Sequence, residues 1–126
     1  MKLVALRGEE PPDDVVVVVR AGANGLSDET LRRTAILSHD EHGFYGVSVF
    51  LALDLPVDEL CASTDYLRRY SQIQESTAGR LRAAGFALLA TEARPHYDIV
   101  LASLDDRALE QLRSCFDPPQ PNPGRS

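Results

Sequence analysis

Residues 15–19 are five consecutive valines, and no other feature of the chain restricts its fold as strongly. β-branched side chains are stiff about χ1 and favour extended backbone. A run that is apolar on both faces fits a strand covered on both sides better than an edge strand. The valines therefore predict a central strand, and a sheet with chain packed above and below it.

Other elements can be placed around that strand. Residues 3–6 read as a short strand ended by a turn rich in glycine, proline and aspartate. After the valines comes a loop holding Gly22, Asn24 and Gly25, residue types that tolerate positive φ. Ser27 then suits an N-cap, with Asp28 and Glu29 in the first turn, and the helix is expected to reach about His42 and stop at Gly43. Residues 44–53 (FYGVSVFLAL) form the next apolar strand. A short helix is expected from Pro56 to about Ala62, and a second from Thr64 carrying Tyr66, Leu67 and Tyr70. A third should cover residues 76–84 and end at Gly85. Residues 86–91 and 97–102 read as two strands, and Ser103 as the cap of a last helix carrying Leu104, Ala108, Leu112 and Phe116. The closing DPPQPNPGRS has four prolines in ten residues, a composition expected to form a disordered tail. The expectation is one α+β domain over residues 1–116, with a small mixed sheet of about five strands and four to five helices, and a proline-rich tail over residues 117–126.

Charge narrows the functional classes. The net charge is −6, so the surface as a whole is no nucleic-acid footprint. Residues 1–63 carry five basic and eleven acidic groups, whereas residues 66–94 carry five arginines against Glu75 and Glu92. A phosphate-bearing ligand should meet that middle stretch. Cys61 and Cys115 are isolated and read as buried thiols of a reducing compartment, the cytoplasm. No apolar run approaches the roughly 20 residues of a membrane span, and the opening MKLVALRGEE is expected to be neither a signal peptide nor an anchor.

Four places could carry chemistry. Arg20 closes the valine strand beside a glycine-containing loop and a helix start, where backbone N–H groups and a guanidinium fork could hold an anion. The competing reading has it pair with Asp28 or Glu29 at the surface. His96 and Asp98 lie two apart on a strand and so share a face, a pairing suited to proton transfer; alternatively, His96 only satisfies a local turn. His39 and His42 stand at i and i+3 and could share a metal, but two ligands do not make a site, and none is expected. Ser76 or Thr77 with Arg80 and Arg82 could grip a phosphate across one helical turn, or the arginines could simply line a solvated face. Ser48 lies in YGVSVF, which is no nucleophile elbow.

The segments FYGVSVF, STAGRLRAAGFALLAT, PHYDIVL and FDPPQPNPGR together resemble a family of uncharacterised single-domain actinobacterial proteins, over most of the chain. A weaker likeness is to small ADP-ribosyltransferase-like toxins of toxin–antitoxin pairs. It implies an arginine on an early core strand, matched by Arg20, and a Tyr or Ser on a following strand, matched by Tyr45 and Ser48, with NAD as the implied cofactor. Two functions follow as expectations. One is a cytosolic toxin acting on RNA or a nucleotide, with Arg20, Arg80, Arg82 and Ser76 holding phosphate and His96, Tyr45 and Ser48 as catalytic candidates. The other is a non-catalytic binding module, the antitoxin or scaffold partner of a protein encoded nearby.

Overall fold

The structure is a computed structural model that describes residues 10–22 and 25–125. The strand expected at residues 3–6 lies outside the described residues. The elements are β1 (Val16–Ala21), α1 (Asp28–His42), β2 (Tyr45–Leu51), α2 (Val57–Ser63), α3 (Asp65–Arg68), β3 (Gln72–Thr77), α4 (Ala78–Ala83), β4 (Ala87–Leu89), β5 (His96–Leu101), α5 (Asp106–Ser114) and β6 (Gln120–Pro121). Six strands form one sheet in the order β4-β5-β2-β1-β3-β6. Every neighbouring pair is antiparallel. The fold is α+β as expected, but the sheet is antiparallel rather than mixed and has six strands among the described residues.

The valine run takes the interior position foreseen for it. Val17, Val18 and Val19 are at most 2% exposed. Alternation sends Val17 and Val19 into the larger core, with β2, β4 and β5 and the buried faces of α1, α4 and α5. Val18 points the other way, against Phe50, Ile73 and the helices α2 and α3 through Leu60, Cys61 and Leu67. β1 and β2 are registered only at Val17 with Leu51 and Val18 with Phe50. One further backbone bond, from the Ala52 N–H to the Val16 carbonyl at 3.0 Å, extends the junction at one end; the registered pairing does not extend to Arg20, and α1 packs along β2.

The caps of α1 follow the sequence. The Ser27 side chain accepts from the Thr30 N–H, and Gly43 ends the helix at φ +86°. The cap of α5 differs: Asp105 accepts from the Ala108 N–H, and Ser103 accepts from the Asp105 N–H one step earlier. A carboxylate there satisfies the helix start and complements its dipole.

Two larger corrections concern β3 and the tail. No strand was expected at residues 72–77 (QIQEST), and Ser76 and Thr77 were placed in a helix, yet the segment pairs along all six residues with β1. The tail is not loose. The Asp117 N–H donates to the Glu75 carbonyl at 2.8 Å, and β6 pairs with β3. Asn122 is 3% exposed, and its Nδ2 donates to the carbonyls of Leu67 and Tyr70, each at 2.8 Å. A Cβ on Gly124 would come within 2.5 Å of the Ala62 nitrogen, so glycine is what lets the tail lie against α2. Proline lacks a donor, but an edge strand uses only half of its backbone groups, so proline is tolerated there.

Among the described residues, no helix is long and apolar enough to cross a membrane.

Candidate functional site

The cleft centres on Arg20, the last polar residue of β1 and a cross-strand neighbour of Ile73. Register puts Arg20 on the same sheet face as Val18, Phe50, Ser48 and Asp98. The helices α2 and α3 cover the Val18 end of that face. At the Arg20 end, the face is open, and one side of α1 forms a wall with Thr34, Leu37, Ser38, Glu41 and His42, a run at helical spacing.

Two tyrosines fix the Arg20 side chain. Its guanidinium carbon lies 4.5 Å from the centre of the Tyr66 ring and 5.4 Å from that of Tyr70. A cation over aromatic faces is attracted to them and partly shielded from water, while its N–H groups can still donate at the edge. Nη2 donates weakly to Thr34 Oγ1 at 3.4 Å. Burial pushes the Tyr66 hydroxyl above its ordinary pKa, against the opposing pull of Arg20. Neither surface partner weighed for Arg20 takes that role, since Asp28 pairs with Arg113 and Glu29 with Arg33.

Four described arginines are partly buried: Arg20, Arg32, Arg82 and Arg113. The last three each hold a carboxylate within ion-pair distance. Arg20 alone among them has no carboxylate partner within that distance among the described residues. Partly desolvated charges ordinarily find a counter-charge, which makes this arginine the exception to explain.

Two lobes meet at Arg20. The larger, of about 370 Å³, is bounded by Gly22, Leu26, Thr30, Arg33, Leu37 and Tyr70. The smaller, of about 170 Å³, runs over Ser38, Ser48 and Asp98 to His42, Glu41 and Glu92. Asp98 is 3% exposed, the single buried carboxylate among the described residues. It accepts from Ser48 Oγ at 3.5 Å and from Thr91 Oγ1 at 2.5 Å. Ligand atoms of Glu41, His42 and Glu92 lie within 4.8 Å of one another, a donor set that a hard divalent cation could use. His39 is not part of it, because its ring stacks on Tyr45 at 4.7 Å.

The candidates read from sequence are thus divided. Arg20 and Ser48 share the cleft. Tyr45 packs against the larger core, on the opposite face of the sheet. His96 shares a face with Asp98 but turns edge-on to Phe50, ring centres 5.3 Å apart, and its Nδ1 is buried without a hydrogen-bond partner. Ser76 is 2% exposed within β3 and caps nothing; Thr77 accepts from the Arg80 N–H instead. Arg80 pairs with Asp117, and Arg82 with Glu10 and Asp13. Val16 pairs with Thr77 and Arg20 with Ile73, so α4 begins four residues along the strand from Arg20, roughly 13 Å away. Neither Arg80 nor Arg82 lines the two lobes that meet at Arg20, and the second arginine there is Arg33.

Nothing in the sequence marked Arg33, Tyr66, Tyr70 or Glu92 as site residues, whereas Arg20, Ser48 and Asp98, the last as the neighbour of His96, stood out. No protein-family model, curated protein or solved structure matches the chain.

Proposed function

We propose that the protein binds a small phosphate-bearing ligand, a nucleotide or an RNA end, in the cleft around Arg20. The observation that carries this reading is the partly buried guanidinium that lacks a carboxylate among the described residues while the other partly buried arginines each have one. A guanidinium held over two tyrosine rings is already oriented, so little side-chain freedom is lost when an anion arrives. Arg33, held at 3.8 Å from Glu29, lines the larger lobe as a second arginine that can turn to an anion. In the cell this reading makes the protein an effector, the toxin of a toxin–antitoxin pair whose partner is encoded nearby.

The test is calorimetric titration with AMP and with inorganic phosphate. A charge-assisted guanidinium contact is worth about 1.5–3 kcal/mol, so Arg20→Ala should weaken AMP binding by roughly 10–150-fold with an unchanged circular-dichroism spectrum. Equal affinity in the variant would overturn the reading. Induced expression should arrest bacterial growth, and Arg20→Ala should relieve the arrest.

A second reading, the protein-binding module, draws on Ile36 and Leu37, which are 49% and 62% exposed side by side on α1. Ile36→Asp should then abolish capture of the neighbouring gene product and leave AMP binding intact.

A further inference from the structure

The smaller lobe of the cleft has a chemistry opposite to that of Arg20. Glu41, Glu92 and Asp98 all line it, with the hydroxyls of Ser38 and Ser48. A phosphate placed there would face three carboxylates, and like charges in a partly desolvated cleft repel. Phosphate therefore belongs on the Arg20 and Arg33 side, in the larger lobe. Whatever part of the ligand enters the smaller lobe must be uncharged or positive, and must bring hydrogen-bond donors.

Asp98 sharpens this requirement. Its carboxylate is buried at 3% exposure, and hydroxyls of Ser48 and Thr91 donate to one oxygen each. A carboxylate has about four acceptor sites, so each oxygen can take a further donor. Glu92 stands at the exposed rim of the same lobe. At about 170 Å³ the lobe is below the roughly 300–1,000 Å³ of a full ligand pocket and matches a subsite for part of a molecule. A vicinal diol supplies two adjacent donors and no charge, and a carboxylate accepting from ribose hydroxyls is an established way to recognise nucleotides.

Resting on the phosphate reading, we infer that the cleft is specific for ribonucleotides: phosphate lies against Arg20, and the ribose 2′- and 3′-hydroxyls donate to Asp98 and Glu92. The 2′-hydroxyl is the group by which a protein tells ribose from deoxyribose. A ligand lacking it leaves a charged acceptor with an unanswered site.

The experiment compares AMP, 2′-deoxy-AMP, 2′,3′-dideoxy-AMP and adenosine on the intact wild-type protein by titration calorimetry, and so needs no variant to fold. AMP should bind about 10-fold or more tighter than 2′-deoxy-AMP, with a further loss for the dideoxy compound. Glu92→Gln, an exposed change, and Asp98→Asn, near in shape, should each reduce that preference while phosphate binding persists. Equal affinity for AMP and both deoxy compounds would overturn the ribose inference and leave the phosphate reading standing. Adenosine binding as tightly as AMP would overturn the phosphate reading, and the ribose inference would fall with it. If AMP and inorganic phosphate both fail to bind, both fall.

Discussion

The guanidinium of Arg20 rests 4.5 Å from the centre of the Tyr66 ring, and that contact joins a central strand of the sheet to the short helix α3. Tyr66 in turn stands edge-on to Phe50, ring centres 5.8 Å apart. The cleft cation is therefore seated on the aromatic part of the smaller core. Its position depends on packing rather than on a loop.

Arg20→Lys should show how much of this is geometry. Lysine keeps the charge but has neither a planar face for Tyr66 nor a fork for two oxygens. AMP affinity should drop by about 10-fold with the thermal midpoint little changed. Full affinity in the lysine variant would mean that charge alone matters.

Val17→Asp should abolish soluble expression. Val17 is 0% exposed in an interior strand, and an unpaired carboxylate there costs several kcal/mol out of a total stability of roughly 5–15. Recovery of a folded soluble variant would contradict the two-sided burial of β1.

Removal of residues 118–126 should lower the thermal midpoint by roughly 10 °C. It strips β6 from β3 and leaves the Leu67 and Tyr70 carbonyls without the Asn122 donor. Each buried group left unmet costs about 1–3 kcal/mol, and each kcal/mol shifts the midpoint by about 4–8 °C in a domain near this size. Gly124→Val should give part of the same loss, since its side chain has no room beside Cys61 and Ala62. An unchanged midpoint in both variants would show that the tail contributes nothing.

Stability should fall as pH rises from about 9 to 11. Burial, helped by the charges of Glu75 and Asp58, pushes the Cys61 thiol up to about 11. The folded state then holds a proton that the unfolded state has released, so alkali favours unfolding; below pH 9 both states hold it and the contribution is fully present. Two units correspond to about 2.7 kcal/mol at most. Tyr66 and Cys115, also raised by burial, add slopes of the same sign. Denaturant midpoints measured between pH 8 and 11 should be flatter in Cys61→Ala than in the wild type; identical slopes would exclude the thiol as a cause.

The parts of the fold that were legible in the sequence are those whose cause is local. Ser27 and Gly43 announce the ends of α1 because capping acts within one turn. The valines announce β1 because no solvated structure suits them. β3 was hidden because its inward residues Gln74 and Ser76 are polar. Gln74 is acceptable inside only because its side chain accepts from the Leu26 N–H and donates to the Asp117 carbonyl. Those partners are 48 and 43 positions away, so no local pattern reveals them. The site followed the same rule. Arg20 was visible as a charge ending an apolar strand, whereas Tyr66 and Tyr70 looked like one stripe of a helix. Arg80 and Arg82 looked free because Asp117, Glu10 and Asp13 are distant in the chain.

The narrow junction between β1 and β2 divides the sheet into two three-stranded leaves, β4-β5-β2 and β1-β3-β6, sewn together by two registered residue pairs. Arg20 belongs to one leaf and Ser48 and Asp98 to the other. A molecule grasped by both ends of the cleft would act as a rivet across the seam, drawing its tightness from the resistance of the two leaves to spreading apart.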